Sequence, residues 1–189
     1  MIRGAFWAFT GLLSFAAAPA VFAQSSHPFV APEFDVPQEL VTTDFRLRML
    51  SVNDVVKDFD AVMASKGQLM KLFPGGSNWP EGLTLELNLV DLGWHQKEFA
   101  RRTSFAYTVV SLDGAKVLGC VYIDPTRKLG YDATVTFWAR ESDQGEPADR
   151  ALDDAVRAWV AVEWAFENPA YPGRDIGWDE WRAIKEVKR

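Results

Sequence analysis

Three consecutive segments between Ser104 and Arg140 constrain the fold most, because each is typical of a β-strand. Aromatic and β-branched residues fill the first two segments, and the Asp-Gly pair that separates them at Asp113 favours a hairpin. The third segment alternates polar and apolar residues, so its two faces meet different surroundings. The predicted strands are Ser104–Val110, Val117–Ile123 and Tyr131–Ala139. The sequence therefore predicts an antiparallel meander that the remaining elements must cover.

Apolar residues spaced three and four positions apart predict helices on both sides of this meander. Ser51 and Asp54 form a capping-box pattern at the start of a helix over Val52–Ala64. The segment Leu83–Arg102 alternates at first like a strand, but its 20 residues without proline favour a helix that is apolar on two sides and wedged between layers. The other predicted elements are a strand over Phe45–Leu50, a loop over Leu72–Gly82, an amphipathic helix over Ala148–Trp164, a short strand within Ala165–Ala170 and a terminal helix over Trp178–Val187.

The first 23 residues resemble a secretory signal peptide. Arg3 precedes an apolar run over Phe6–Ala18, and small residues at Val21 and Ala23 predict cleavage before Gln24. The run is shorter than the roughly 20 residues that span a membrane, and an uncleaved anchor or a misassigned start codon is the alternative. We therefore expect a signal peptide at 1–23, a Pro-rich linker at 24–44 and one domain at 45–189. This organisation predicts a periplasmic or secreted protein without stable membrane association, or a cytoplasmic one if the signal does not function.

Charge and cysteine content exclude some classes of function. The net charge is −6, which argues against nucleic acid as the main partner, since phosphate binding needs clustered Lys and Arg. Cys120, the one cysteine, lies in an apolar strand and is interpreted as a small buried residue. With only His27 and His95 beside it, a zinc site of the usual Cys/His kind is not expected. His95 is interpreted as a structural hydrogen-bonding residue or, alternatively, as a substrate contact.

The order of the predicted elements resembles that of the GCN5-related N-acetyltransferase (GNAT) superfamily over roughly Phe45–Tyr171. Several stretches look like one bacterial branch of that superfamily, namely FRLRML, LTLELNLVDLGWHQKEF, LGCVYIDP, GYDATVTFW and YPGRDIGW. The resemblance implies an α+β fold in which helices flank a mixed, mostly antiparallel sheet. The C-terminus is shortened, because only 18 residues follow Tyr171 where the family has a helix and two further strands.

The resemblance also implies an activity, the acyl-CoA-dependent N-acetylation of a small-molecule amine with acetyl-CoA as the donor. In the family, pantetheine pairs with an exposed strand edge and the diphosphate lies at the start of the next helix. Carried onto this sequence, the cofactor contacts are Phe137, Trp138, Ala139, Arg140, Gly145 and Arg150. Asp132 is the implied catalytic base with Asp124 as a weaker choice, and Tyr171 is the phenol that would protonate the leaving thiolate.

The sequence departs from the family at the diphosphate turn. That turn is normally Arg or Gln, two residues, Gly, one residue, then Gly or Ala, whereas Arg140–Arg150 reads RESDQGEPADR and carries four carboxylates. An export signal would also separate the protein from cytoplasmic acetyl-CoA. The alternative is therefore a non-catalytic GNAT-fold protein that binds a ligand in the periplasm. A third interpretation is an interaction domain that dimerises through Trp178 and Trp181.

Overall fold

The structure, a computed structural model, describes residues 29–74, 79–141 and 146–187 of the chain. Six strands form one sheet whose spatial order follows the chain. Neighbouring strands are antiparallel except the last pair, which is parallel. The strands are β1 (Glu39–Val41), β2 (Arg46–Met49), β3 (Phe105–Val110), β4 (Val117–Pro125), β5 (Ala133–Ala139) and β6 (Pro169–Ala170). The predicted meander is confirmed as β3, β4 and β5.

Helices cover both faces of this sheet, which confirms the predicted α+β class. They are α1 (Val55–Ala64), α2 (Lys66–Leu72), α3 (Leu85–Arg101), α4 (Glu146–Glu163) and α5 (Trp178–Ala183). One hydrophobic core lies between α4 and the sheet, around Tyr107 and Phe137. A second core lies between the sheet and α1 to α3, around Cys120 and Trp138. Among the described residues, the structure contains no helix long and apolar enough to span a bilayer.

Three predictions about local structure need correction. Glu39–Val41 forms β1, and Phe29 and Phe34 pack against the first core, so the predicted linker is part of the packed structure from residue 29 onward. Helix α2 follows α1 after one residue, whereas the sequence predicts no helix between Ala64 and the loop that begins at Leu72. The terminal helix ends at Ala183 instead of continuing to residue 187.

Strand β5 has one paired edge and one largely open edge. It pairs with β4 along its whole length, but only Ala133 and Thr134 pair with β6. The N–H of Arg140 donates to the carbonyl of Leu118 on β4 at 2.7 Å. Because backbone groups alternate sides along a strand, the N–H and C=O groups of Ala139 and Phe137 face the open edge. This edge is the one that the sequence resemblance assigns to pantetheine.

Candidate functional site

A pocket of about 470 Å³ opens between α1, α3 and the face of β4. Its apolar and aromatic lining consists of Leu50, Val62, Phe73, Trp79, Leu92, Trp94 and Tyr122. Its polar lining consists of Asp58, Asn88, Asp91, His95, Glu98 and Asp124. A concave, mostly apolar site of this size with a few convergent polar groups is typical of a small-molecule site.

A buried carboxyl group lies at the α1 side of the pocket. The side chain of Asp58 is only 3% exposed. Its Oδ2 accepts a hydrogen bond of 2.9 Å from Asn88 Nδ2 on α3, and its Oδ1 accepts one of 3.5 Å from the thiol of Cys120 on β4. Burial raises the pKa of Asp58, and the negative charge of Asp54 adds to this effect. The pocket therefore contains a carboxyl group that binds a proton more readily than one in water.

A second carboxyl group reaches the pocket from β4. The hydroxyl of Ser104 donates a hydrogen bond to Oδ1 of Asp124. Its Oδ2 receives no hydrogen bond from the described residues. Burial raises the pKa of Asp124 in spite of that hydrogen bond and of the nearby imidazole of His95. Asp124 thus has one carboxylate oxygen that is free of hydrogen bonds from the described residues.

His95 on α3 lies between these acidic groups. Its ring centroid is 5.2 Å from that of Tyr122, and its Nδ1 is 3.6 Å from Oε2 of Glu98. A positive charge on His95 would lower the pKa of both Asp58 and Asp124. His95 lines the pocket, and its buried Nδ1 has no hydrogen-bond partner among the described residues, so a substrate contact stays a prediction. Within the described residues, no lysine or arginine forms an ion pair with Asp58, Asp91 or Asp124.

The open edge of β5 is occupied by a side chain of the protein itself. The guanidinium of Arg174 lies 3.8 Å from the ring centroid of Phe137 and donates to the carbonyl of the same residue at 3.4 Å. It also donates two hydrogen bonds of 3.0 and 2.9 Å to the carboxylate of Asp149, in the first turns of α4. Arg174 therefore ties the loop after β6 to the edge of β5 and neutralises a carboxylate at the start of α4.

Of the residues predicted as catalytic, Asp132 and Tyr171 do not line the pocket, whereas Asp124, the weaker choice of base, does. The carboxylate of Asp132 accepts the backbone N–H groups of Glu167 and Asn168, at 2.6 and 3.2 Å, and so fixes the approach to β6. Tyr171 is 8% exposed and packs against α4, with the guanidinium of Arg157 4.1 Å from its ring centroid. Burial raises the pKa of Tyr171. Both side chains are thus engaged by contacts within the fold, and their catalytic roles stay predictions.

The predicted cofactor contacts differ in their surroundings in the structure. Phe137 and Ala139 present backbone groups to the open edge, whereas Trp138 is fully buried in the second core. Arg140 forms an ion pair of 2.8 Å with Asp60. Arg150 is exposed on α4, near the position predicted for the diphosphate. Gly145 lies outside the described residues.

Sequence reasoning missed Asp58 and Asn88, although a signal for both was present. Asp58 lies within the predicted apolar face of α1, four positions before Val62, and Asn88 lies four positions before Leu92 on α3. A polar residue in a buried helical stripe requires a polar partner, and two such residues on neighbouring helices indicate a shared site.

Replacing Asp58 by asparagine should change how stability depends on pH. Because the folded-state pKa of Asp58 is raised, its contribution to stability is fully present below the unfolded value of 3.8 and is lost as pH rises through the folded value. The asparagine variant has no titrating group at this position, so its stability should fall less steeply than that of wild type as pH rises above 3.8. Urea denaturation at several pH values measures this. Asp154→Asn, at an exposed position on α4, is the control, and an unchanged pH slope for Asp58→Asn would contradict the assignment.

Comparison with known proteins supports the fold. No protein-family model and no curated protein sequence matches the chain. Among solved structures, a ribosomal-protein-S5-alanine acetyltransferase from Vibrio fischeri matches with a TM-score of 0.53 and 17% identity, over 66% of this chain and 67% of that one. RimL, a ribosomal L7/L12 alpha-N-protein acetyltransferase in complex with coenzyme A, gives 0.51 and 19%, over 65% and 66%. The microcin C7 self immunity acetyltransferase MccE in complex with acetyl-CoA and AMP gives 0.55 and 9%, over 69% of each chain. The chain therefore has the GNAT fold, as its sequence predicts, and spans about two thirds of these proteins.

Proposed function

We propose that this protein is an acyl-CoA-dependent N-acyltransferase, with acetyl-CoA as the donor and a small-molecule amine as the acceptor. The observation that carries the proposal is the position of the acidic pocket beside the open edge of β5. Tyr122 and Asp124, which line the pocket, pair in register with Thr136 and Thr134 of β5. Adjacent strands lie about 4.8 Å apart, so the pocket is one strand away from the open edge. An acceptor in the pocket and a donor on the edge would be neighbours.

The backbone of the β5 edge fits the pantetheine arm of an acyl-CoA. Phe137 and Ala139 present N–H and C=O groups there, which is the arrangement that binds an extended ligand by strand addition. Arg174 must release the carbonyl of Phe137 for this to happen. Freed from Asp149, Arg174 would be a cation for the diphosphate, together with the exposed Arg150. The donor would supply an activated acyl group as its thioester.

The pocket supplies groups that can hold and deprotonate an amine. An amine attacks only when it is neutral, so the site needs a proton acceptor within reach. Asp124 has a carboxylate oxygen without a hydrogen-bond donor among the described residues, and its raised pKa brings it closer to the working range of a base. His95 and Glu98 lie beside it and can receive the proton in turn. We therefore assign the role of base to Asp124 in place of Asp132.

Two substitutions at the start of α4 should change donor affinity in opposite directions. Arg150→Glu adds repulsion against the diphosphate and should weaken acetyl-CoA binding by about ten-fold. Asp149→Asn removes a negative charge and leaves Asp153, at 3.5 Å, as the remaining carboxylate partner of Arg174 among the described residues, so it should strengthen binding by several-fold. Titration calorimetry with acetyl-CoA measures both. Asp154→Asn, exposed on the same helix, controls for net charge alone.

The outcomes of this titration separate the proposal from its parts. Equal affinity for acetyl-CoA in all variants would show that the start of α4 is not part of the binding site. If wild type does not bind acetyl-CoA, acetyl-CoA is not the donor. In that last case the alternative of a non-catalytic GNAT-fold ligand-binding protein stands. The observation that favours this alternative is that Arg174 already occupies the edge of β5. Release of free CoA in the presence of amines would rule it out.

A further inference from the structure

We infer that the pocket between α1, α3 and β4 binds a protonated monoamine that carries an aromatic group, an arylalkylamine in chemical class. The inference deepens the proposed function, since it names the acceptor class, and the transfer step rests on that proposal. The binding step does not, because it requires only the pocket. Three features of the pocket support the inference: the negative charge of its lining, its apolar surface, and the aromatic side chain at its entrance.

The charge of the lining requires a cation. Its carboxyl groups outnumber its one basic side chain, that of His95, by four to one. Asp58 and Asp124 are both buried enough that the energy of ionising them is raised, and no lysine or arginine in the described ranges pairs with either. Asp124 keeps one oxygen free of hydrogen bonds from those residues. An ammonium group beside the free oxygen of Asp124 would offset the cost of keeping that carboxylate charged.

The rest of the lining requires an apolar body attached to that cation. Phe73 and Trp79 contact each other edge to face, with ring centroids 6.3 Å apart, and both line the pocket. Tyr122 and Leu92 add to the same surface. A long polyamine has no apolar group large enough to cover these side chains, so they would stay in contact with water or with the positive charges of the ligand. An aromatic ring would instead cover them, and rings that pack against aromatic side chains gain additional stabilisation.

Trp94 places an aromatic group at the mouth of the pocket. Its side chain lines the pocket yet is 54% exposed, although large aromatic side chains are usually buried on average. The ammonium of Lys97 lies 3.0 Å from the centroid of the Trp94 ring. This positive group at the rim disfavours a second cation on the ligand. The lining therefore selects a single positive charge together with an aromatic group.

The experiment compares ligands that differ in one property, in the absence of any acyl-CoA. The probes are 2-phenylethylamine, its neutral counterpart 2-phenylethanol, spermidine and a short peptide with an N-terminal alanine. Ligand-observed NMR titration of the full chain measures each affinity. Wild type should bind 2-phenylethylamine at least about ten-fold more tightly than each of the other three.

Variants then test which residues supply this preference. Asp124→Asn should lose about ten-fold in affinity for the amine and leave binding of the alcohol unchanged. Trp94→Ala should weaken both ligands by a similar factor. Asp154→Asn carries the same change in charge on an exposed part of α4 and should change neither. The comparison of the four probes uses wild type alone, so the inference can be tested even if Asp124→Asn does not fold.

Each outcome decides between the inference and its rivals. Equal binding of amine and alcohol would overturn the role of charge, and tighter binding of spermidine would overturn the aromatic part. Tighter binding of the peptide would show that the pocket prefers a protein N-terminus to a small-molecule amine. If none of the probes binds, the inference is wrong. If the amine binds and acetyl-CoA does not, the inference stands and the proposed transferase function fails. The reverse result would leave the function in place and remove this acceptor class.

Discussion

Replacing Gly119 by alanine should lower the free energy of unfolding by about 3 kcal/mol or more, on the order of the largest single-residue effects. Gly119 lies near the start of β4 with φ +153°, and a Cβ built there would be 2.0 Å from the carbonyl oxygen of Trp138. Both groups belong to paired strands, so neither can move without disturbing the β4–β5 register. Urea denaturation monitored by tryptophan fluorescence measures the change.

Gly67 provides a matched control for this substitution. It lies in α2 and is exposed, and a Cβ added at this position would meet no other atom within 4 Å. Alanine there should stabilise the protein by about 1 kcal/mol, because glycine is a poor helix former. Wild-type stability for Gly119→Ala would show that β4 and β5 separate more easily than their pairing indicates.

The meander and the long helices could be predicted because local pattern and tertiary environment agree for them. The segments that became β3, β4 and β5 carry the residue types that favour strands, and the turn at Asp113 has the residues that a tight turn requires. The register that places Cys120 opposite Trp138 is compatible with this alternation. Helix α4 was predicted for the same reason, since its apolar residues fall on one face.

The role of α3 could not be predicted from its pattern. Two apolar sides suggested that the helix is wedged between layers, but the structure buries only one side. Leu87, Val90 and Trp94 are 52%, 54% and 54% exposed, while Asn88, Leu92 and Phe99 are buried. Hydrophobicity alone does not determine which stripe faces the core, since Asn88 is buried by its hydrogen bond to Asp58.

The candidate site depends on contacts between residues far apart in the chain, which explains why most of it was missed. Asp58 is joined to Asn88 and Cys120 across separations of 30 and 62 positions. Asp132 looked catalytic because it is a carboxylate on a predicted strand, but backbone N–H groups from the segment before β6 already bind both its oxygens.

Trp178 and Trp181 also have partners within the fold. The Nε1 of Trp178 donates to the carbonyl of Leu72 at 2.8 Å, and Trp181 is 9% exposed. Their aromatic surface is therefore used by the chain itself, and dimerisation through these two residues is not supported.

The second large effect is expected at Trp138, which the alternation of β5 placed on the face of Thr134 and Thr136. That face is covered by α1 and α2 at this point, and the Trp138 side chain is 0% exposed. Trp138→Ala should lower the free energy of unfolding by about 4 kcal/mol, because it leaves a cavity in the second core. Trp94→Ala, at a 54% exposed position, is the matched control and should cost about 1 kcal/mol or less.

Trp138→Phe separates the packing of this residue from any role at the strand edge. The Nε1 of Trp138 is buried near the Tyr122 hydroxyl but forms no hydrogen bond of good geometry among the described residues, so phenylalanine removes a poorly satisfied donor along with part of the ring. This variant should therefore cost clearly less than Trp138→Ala. The backbone of Trp138 faces β4, and its side chain faces the helices, so the acetyl-CoA affinity of folded Trp138→Phe should equal that of wild type in calorimetry. A large loss of affinity at unchanged stability would mean that the ring itself contacts the donor, and that the second core is part of the binding site.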